Sequence, residues 1–312
     1  MSKYLITGGG GFIGSHLADR LLIEGHSVVT VDNFLTGRRE NIAHQDVELH
    51  EIDIRDRDAL AKAMQGVEYV FHQAALPSVP RSIDNPLASH EINTTGTLNV
   101  LLTARDAGVK RVVFAGSSST YGDVESEFKH EEMPPRVKSP YAASKVIAED
   151  YCRVFNEIYD LETVIVRYFN VFGPRQDPES PYAAVIPLFA TAMIDDRRPV
   201  IHGDGTQSRD FTYIDNVVHG NMLAMHSPHA PGEIFNIACG DRISLLDLVN
   251  QLNELLGKSI VPIFGSPRPG DIRHSRAAID KARRFLEYEP QISFSEGLAR
   301  TLAWYEEAVI RK

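Results

Sequence analysis

The chain has 312 residues, of which 43% are hydrophobic and 24% charged, a balance typical of a globular protein with a sizeable core. Its formal net charge of -10 at pH 7 argues against a nucleic-acid or anionic-membrane partner, although a few local arginines can still bind an anionic small ligand. The chain has two cysteines and no apolar run of membrane-spanning length, and its first predicted strand begins at Lys3. We therefore expect a cytoplasmic protein without disulfides or a signal peptide.

The first half of the chain alternates short apolar segments with segments of helical periodicity. Strands are predicted at residues 3–7, 27–32, 47–52, 69–73, 111–115 and 162–169, and the clearest helices at 12–24 and 139–159. Because helix-compatible stretches separate the strands, the pattern predicts an α/β fold with a Rossmann-type doubly wound parallel sheet.

The alternation ends after Asn170, where four prolines fall close together between residues 174 and 187. We therefore predict a first domain at residues 1–169 and a second, smaller α/β lobe that occupies most of residues 170–312. The chain is expected to return to the first domain at about residues 212–238.

A glycine-rich turn, Thr-Gly-Gly-Gly-Gly-Phe-Ile-Gly at residues 7–14, joins the first strand to the first helix. Gly8 permits a tight turn, Gly11 lets the backbone approach a pyrophosphate, and Gly14 allows close packing of helix on strand. The helix N-terminus then presents N–H groups to the phosphates. Asp32 ends the second strand, where its carboxylate would bind an adenosine ribose and repel a 2′-phosphate, which predicts NAD rather than NADP.

Several other polar residues have a structural interpretation beside a functional one. Asp53, after the third strand, is either an adenine contact or the N-cap of the next helix, and both interpretations remain open. The histidines do not cluster with carboxylates at ligand spacing, so no metal site is predicted. Cys239 is expected to serve in packing, and Arg38 and Arg39 to be solvated surface residues.

A second motif, Tyr141-Ala-Ala-Ser-Lys145, places a phenol and an ammonium one helical turn apart. An ammonium beside a phenol favours the phenolate, so Tyr141 is a candidate general base, although a plain surface Tyr and Lys would have the same spacing. Ser117, at the carboxyl end of the fifth strand, would share a proton with the same substrate hydroxyl. A nucleophilic serine is disfavoured, because no partnered His and Asp accompany it.

These segments together resemble the extended short-chain dehydrogenase/reductases, and more narrowly their NAD-dependent epimerase/dehydratase branch. The resemblance rests on residues 7–14, Asp32-Asn33, Ser117–Ser119, Tyr141-x-x-x-Lys145 and Arg167-Tyr-Phe-Asn170, and continues through motifs at residues 202–211 and 268–271. Residues 78–82 and 176–187 are most similar to bacterial UDP-N-acetylglucosamine 4-epimerases.

The resemblance implies the following site residues, taken position by position. The catalytic residues would be Tyr141, Lys145 and Ser117. NAD would be held by Gly8, Gly11, Phe12, Ile13, Gly14, Asp32, Asn33, Gly37, Asp53, Ile54, Gln73, Ala74, Ala75, Tyr141, Lys145 and Tyr168. The UDP-sugar would be held by Ser78, Arg81, Ser118, Ser119, Asn170, Ala184, Val185, Arg209, Arg268, Asp271 and Ser275. Guanidinium groups suit a diphosphate because they offer paired donors and a fixed charge.

The resemblance also implies a reaction in which the sugar 4-hydroxyl is deprotonated and a hydride passes from C4 to NAD. Dehydratases of the family carry an Asp-Glu pair where Ser118-Ser119 stands, so dehydration is disfavoured. The expected reaction is C4 epimerisation of UDP-N-acetylglucosamine and UDP-N-acetylgalactosamine, and of UDP-glucose and UDP-galactose, to supply polysaccharide synthesis. A UDP-glucuronate 4-epimerase or decarboxylase remains the alternative, with Arg81 as a partner for the C6 carboxylate. A catalytically silent NAD-binding sensor is the alternative outside enzymes.

Two further expectations follow from the resemblance. The residue four places after Asp271 walls the sugar pocket in similar epimerases, and here it is Ser275, which is small enough to admit a 2-acetamido group. Family members usually form homodimers through the helix of the Tyr-x-x-x-Lys motif, and Ile147, Tyr151, Val154 and Phe155 would give that helix an outer apolar stripe. The alternative is that this stripe packs on the sheet.

Overall fold

The centre of the fold is a sheet of seven parallel strands, in a computed structural model that describes residues 1–124, 126–180, 183–267 and 273–310. The strands of the protein are β1 (Lys3–Thr7), β2 (Ser27–Val31), β3 (Glu48–His50), β4 (Tyr69–His72), β5 (Arg111–Ser117), β6 (Glu162–Tyr168), β7 (Val171–Phe172), β8 (Val200–His202), β9 (Ser208–Arg209), β10 (Thr212–Tyr213), β11 (Ile234–Ile237), β12 (Ile243–Ser244) and β13 (Ile263–Gly265). The large sheet has the order β11-β6-β5-β4-β1-β2-β3, and the remaining strands form the pairs β10–β7, β12–β9 and β13–β8.

Helices connect these strands and cover both faces of the sheet. They are α1 (Phe12–Ile23), α2 (Arg57–Ala63), α3 (Val79–Asp84), α4 (Pro86–His90), α5 (Gly96–Asp106), α6 (Pro140–Ile158), α7 (Val185–Ile194), α8 (Ile214–His226), α9 (Leu245–Leu256), α10 (Asp280–Leu286) and α11 (Phe294–Ile310). A π-helical turn, Glu91–Thr95, joins α4 to α5. Within the described ranges, no helix combines the length and the apolar character that crossing a membrane requires.

Side chains that alternate along the strands build a core on each face of the sheet. On β1, Tyr4 and Ile6 point into a cluster that includes residues of α1 and α8. Leu5, between them, points into the opposite cluster, which includes residues of α2, α5 and α6. This arrangement confirms the predicted α/β class and the doubly wound parallel sheet.

The strand order reverses between β1 and β4, and in open parallel sheets such a switch point leaves a crevice at the carboxyl ends of the strands. The glycine-rich turn follows β1 at this crevice. β5 runs to Ser117, two residues beyond the predicted end, so the Ser117 hydroxyl lies at the carboxyl end of a central strand.

The second half of the chain builds a smaller lobe and then rejoins the large sheet. Buried side chains of α7, α9 and α11 belong to the same cluster as α1 and α8, so one core extends from the sheet into the lobe. β11 pairs in parallel with β6 and forms an edge of the large sheet. The domain boundary at residues 169 and 170 stays a prediction.

The apolar stripe that the sequence predicts on α6 is only partly exposed. The side chains of Ile147 and Val154 are 39% and 40% exposed. Tyr151 packs partly buried against the core, and Phe155 is 2% exposed and lies inside the core. The expectation that all four side chains face outward is therefore wrong for Phe155, because its position on the helix turns it toward the sheet.

Candidate active site

The glycine-rich turn lies so close to neighbouring backbone that side chains are excluded from it. Gly8 has a φ of +72°, and a Cβ there would lie 2.8 Å from the backbone N of Ala74. A Cβ on Gly14 would lie 2.2 Å from the carbonyl oxygen of Gly8. Gly11 precedes α1 without a side-chain cap, so the first-turn N–H groups of the helix are left for an anion. The turn therefore has the form that a dinucleotide pyrophosphate requires.

Asp32 follows β2 and faces the same turn. Its Oδ2 accepts the backbone N–H of Gly10 at 2.9 Å, and its Oδ1 accepts that of Phe34 at 2.7 Å. Burial raises the pKa of this carboxyl, and the two backbone hydrogen bonds lower it. Each carboxylate oxygen can still accept a second hydrogen bond, as a ribose diol would donate. A Cβ on Gly37 would lie 2.8 Å from Oδ2, so the chain passes directly over the acid.

Asp53 does not cap the helix that follows it. The N-cap of α2 is Asp56, whose side chain accepts the N–H of Ala59 at 3.0 Å. Asp53 instead accepts hydrogen bonds from Arg55 through both oxygens and from Asn33 Nδ2 at 2.8 Å. These contacts with Arg55 lower the pKa of Asp53 to about 2. The cap interpretation is therefore wrong, and the contacts favour a role in holding Asn33 at the site.

A cleft of about 830 Å³ opens at the switch point and collects the predicted cofactor residues. Every residue that the sequence assigns to NAD lines it, together with Ser78, Arg81 and Ala184. Arg38 and Asp177 also line this cleft, and the guanidinium of Arg38 lies 2.7 Å from the carboxylate of Asp177. Arg38 is exposed, as the sequence predicted, and this ion pair in addition joins the loop after β2 to the loop before α7.

Lys145 is buried at the inner end of this cleft. α6 begins after Ser139, which caps it by accepting the N–H of Ala142 at 3.1 Å, and places Lys145 beside β5. The ammonium Nζ donates to the carbonyl oxygen of Ala115 at 2.9 Å and lies 6.0 Å from the centre of the Tyr141 ring. Burial lowers the pKa of Lys145 to about 8, against the opposing charge of Glu149.

Tyr141 has a raised pKa in this chain, which differs from the sequence-based expectation. Burial raises it most, a hydrogen bond to Ser117 lowers it, and the charge of Glu149 raises it further. The ammonium of Lys145 donates to the Ala115 carbonyl and does not offset the effect of burial on the pKa of Tyr141. Ser117 is itself held in place, because its Oγ accepts the N–H of Ser119 at 3.2 Å and lies 2.8 Å from the Oγ of Ser119.

A second cavity of about 300 Å³ lies in the smaller lobe. Four predicted substrate residues line it: Asn170, Ala184, Val185 and Arg209. The two cavities share Ala183 and Ala184, so they adjoin.

The smaller cavity also has walls that the sequence did not single out. Among them are Phe189, His202 and Gln207. The Nε2 of Gln207 donates to the carbonyl oxygen of His202 at 2.5 Å. Both residues belong to the motif at residues 202–211, which was the signal that could have identified them.

Some predicted substrate residues lie elsewhere or outside the described chain. Ser117, Ser118, Ser119 and Ser275 line neither cavity, and the Ser117 hydroxyl affects the site by lowering the pKa of Tyr141. Ser275 lies beside β9 and donates its N–H to the carbonyl oxygen of Ser208 at 3.1 Å. Arg268 and Asp271 lie outside the described residues. In the part of the chain that is described, no group of three or more His, Cys, Asp or Glu side chains is arranged to hold a metal ion.

Comparison with known proteins gives consistent matches over nearly the whole chain. A model of the NAD dependent epimerase/dehydratase family matches residues 4–238. The UDP-glucose 4-epimerase of Mycolicibacterium smegmatis is 38% identical over 309 residues, which cover 97% of this chain and 98% of that protein.

Solved structures are similar at the same level. The UDP-N-acetylglucosamine 4-epimerase of Methanobrevibacter ruminantium, in complex with UDP-N-acetylmuramic acid, has a TM-score of 0.94 and 38% identity, over 98% of this chain and 99% of that one. The UDP-glucuronic acid 4-epimerase of Bacillus cereus, in complex with UDP-glucuronic acid and NAD, has a TM-score of 0.91 and 32% identity, over 98% and 99%.

These likenesses confirm the family that the sequence motifs predicted, and with it the cofactor NAD. The structure fits that cofactor, because the bare glycine turn and the buried Asp32 face one cleft. The chain belongs to the NAD dependent epimerase/dehydratase family.

Proposed function

We propose that the protein is a C4 epimerase of UDP-sugars that interconverts UDP-N-acetylglucosamine and UDP-N-acetylgalactosamine, and also UDP-glucose and UDP-galactose. The observation that carries the proposal is the junction of the two cavities at Ala183 and Ala184. A nucleotide in the smaller cavity can extend its sugar past these small residues toward Tyr141 and Lys145. The products would supply polysaccharide synthesis in the cytoplasm.

Tyr141 and Ser117 would transfer and position the proton of the sugar 4-hydroxyl. Tyr141 in its phenolate form accepts the proton of the sugar 4-hydroxyl, and Ser117, whose hydroxyl lowers the pKa of Tyr141, orients the sugar hydroxyl. NAD, held by the residues that line the larger cleft, would supply the acceptor for a hydride from C4 and its return to the sugar. Epimerisation then requires only that the 4-keto sugar turns before Tyr141 returns the proton, so no second acid–base pair is needed.

The remaining substrate residues would bind the nucleotide diphosphate. Arg209 lines the smaller cavity and offers a fixed positive charge with paired donors. Asn170, Ala184 and Val185 line the same cavity beside it. The residue types at Ser118 and Ser119 support epimerisation over dehydration, because hydroxyls cannot supply the acid and base that elimination of water needs.

Product analysis tests this function directly. Purified protein is incubated with each UDP-sugar in turn, and the products are followed by NMR. We expect UDP-N-acetylglucosamine to yield UDP-N-acetylgalactosamine without added NAD, since the cofactor is regenerated in each turnover. If no UDP-sugar is converted, the sensor interpretation is favoured instead.

UDP-glucuronate is the second candidate substrate, on the strength of Arg81. This residue lines the larger cleft together with Tyr141 and Lys145, and a guanidinium there suits a C6 carboxylate. An epimerase would give UDP-galacturonate, whereas a decarboxylase would release carbon dioxide. If UDP-glucuronate is the only sugar converted, this candidate replaces the acetamido-sugar proposal.

The variant Lys145→Met is expected to weaken NAD binding as well as turnover, because the ammonium would also hold the nicotinamide ribose. Loss of one charge-assisted hydrogen bond is worth about 1.5 kcal/mol or more, which predicts about tenfold weaker binding. The measurement is the NAD content of protein purified by gel filtration. Lys110→Met, on the exposed Lys110 side chain, is the matched control. Unchanged NAD content in Lys145→Met would contradict the second role.

We also propose that the protein is a homodimer that pairs through α6. The exposed Ile147 and Val154 support this, and Ile158 extends the same exposed face. Light scattering at micromolar concentration is expected to give twice the chain mass of 34.7 kDa. A monomeric mass in that experiment would refute the dimer.

A further inference from the structure

An ion pair is buried directly behind the candidate catalytic residues. Glu149 lies one helical turn beyond Lys145 on α6, and Arg167 lies on β6. The Nε and Nη2 of Arg167 donate to the two carboxylate oxygens of Glu149 at 3.0 and 2.6 Å. Both residues are 2% exposed and line neither cavity, so the pair does not contact the substrate region. The desolvation of two buried charges can cost more free energy than their attraction returns, so a contribution to stability does not by itself explain this pair.

The pair packs against the part of β5 that holds the catalytic groups. A Cβ on Gly116 would lie 3.0 Å from Oε1 of Glu149 and 3.1 Å from Cγ of Arg167. Gly116 stands between Ala115, whose carbonyl binds the Lys145 ammonium, and Ser117. The pair therefore determines how closely α6 and β6 approach β5 at the position of these groups.

Burial shifts the pKa of the other titratable groups around the pair and around Lys145 toward the neutral form. Burial lowers the pKa of His72, on β4 facing Lys145, to about 3. Burial raises the pKa of Cys152 on α6, and that of Tyr121, whose ring lies 4.8 Å from the guanidinium of Arg167. Burial also raises the pKa of Glu131, which faces Tyr121.

Glu149 and Arg167 form the buried ion pair that lies directly behind Tyr141 and Lys145. Glu149 acts on both catalytic groups, because its charge raises the pKa of each of them. The guanidinium of Arg167 compensates that charge at hydrogen-bonding distance.

We propose that Glu149 and Arg167 are positioning residues that hold Lys145 and Ser117 in place and that balance each other's charge beside the proton-transfer step. The inference rests on the proposed function for its kinetic test. It predicts that removing either charge alone shifts the ionisation of Tyr141 and Lys145, and that the two removals shift it in opposite directions.

The sign of each shift follows from the charge that remains. Glu149→Gln leaves the Arg167 cation uncompensated, which favours the phenolate and disfavours the ammonium, so both limbs of the kcat profile move to lower pH. Arg167→Met leaves the Glu149 anion, so both limbs move to higher pH. We expect about one pH unit in each case. In Glu149→Met/Arg167→Met the net charge is unchanged, so the profile returns to the wild-type position while its maximum falls about tenfold, since the packing on Gly116 is lost.

The experiment measures kcat from acid to alkaline pH at saturating UDP-sugar for these variants. Glu162→Gln is the control. Glu162 pairs with Arg111 at the amino ends of β6 and β5, whereas Arg167 and Gly116 lie at the carboxyl ends of these strands. The pH profile of this variant is expected to match that of the wild type. Profiles that coincide in all variants would overturn the inference. If the single variants do not fold, the double variant still decides, since apolar replacement of a buried pair is often tolerated. A double variant with wild-type kcat would then refute the positioning role.

A second readout separates this inference from the proposed function. Ultraviolet difference titration follows the Tyr141 phenol without turnover, with Tyr141→Phe in each background as the blank. We expect the apparent pKa of Tyr141 to fall in Glu149→Gln and to rise in Arg167→Met. An inactive wild type would refute the proposed function while this titration still decides the inference. An active wild type with an unmoved titration would refute the inference alone.

Discussion

Tyr141→Phe is expected to lower kcat by about 10²- to 10⁴-fold, the range that one positioned general acid–base contributes. The substitution removes the hydroxyl and leaves the ring, so the helix α6 and the cleft around it keep their packing. NAD content should remain close to that of the wild type, because Lys145 still donates to Ala115 and still lines the cleft. Initial rates with a saturating UDP-sugar and the NAD content of the same preparation measure both effects.

The control for this variant lies at the end of the same helix. Tyr159 is the C-cap residue that follows α6 and is 43% exposed, so Tyr159→Phe removes a hydroxyl that lines neither cavity and should leave kcat unchanged. If Tyr141→Phe loses well under tenfold in kcat, Tyr141 is not the general base. In that case the raised pKa of Tyr141 would indicate that its phenol stays protonated during the whole reaction.

The parts of the site that the sequence predicted are those that depend on local chain chemistry. The turn between β1 and α1 needs Gly8 and Gly14 because backbone atoms stand where their Cβ would be, and this requirement is visible as a glycine pattern. Asp32 follows β2, which the alternation of apolar strand segments and helical segments along the chain predicts. These residues of the cofactor cleft follow from local chemistry, the remaining ones were implied by the family resemblance, and all of them line one cavity.

The features that the sequence missed depend on contacts between distant segments. Glu149 and Arg167 are separated by 18 residues in the chain and meet only because β6 lies beside β5 under α6. Asp53 and Asp56 are both plausible helix caps by residue type, and the structure separates them because the helix begins after Asp56. The pKa of Tyr141 followed burial rather than the nearby ammonium, and burial is a property of the whole fold.

Ser275→Tyr is expected to lower kcat/KM for UDP-N-acetylglucosamine about 100-fold, equivalent to about 2.7 kcal/mol, while turnover of UDP-glucose changes little. Ser275 lies in a segment fixed to β9, because its N–H binds the Ser208 carbonyl at 3.1 Å and the Arg273 carbonyl accepts the Ser208 N–H at 2.9 Å. Ala277 is held further along, where its N–H donates to Asp210 at 3.0 Å. The backbone therefore cannot move away to accommodate a larger side chain.

Ser275 lines neither cavity, but it is hydrogen-bonded to Ser208, the chain neighbour of Arg209, which lines the smaller cavity. The family resemblance places this position at the wall of the sugar pocket, so we expect a tyrosine there to extend toward the sugar. A 2-acetamido group is larger than a hydroxyl, so the added ring obstructs the turning of the acetamido sugar before that of the plain hexose. Ser295→Tyr, on the exposed face of α11, is the matched control and should leave both sugars unaffected. Side-by-side kcat/KM values for the two sugars decide the matter. If the acetamido sugar is turned over as well by Ser275→Tyr as by the wild type, Ser275 does not wall the sugar pocket, and the breadth of substrate must have another cause.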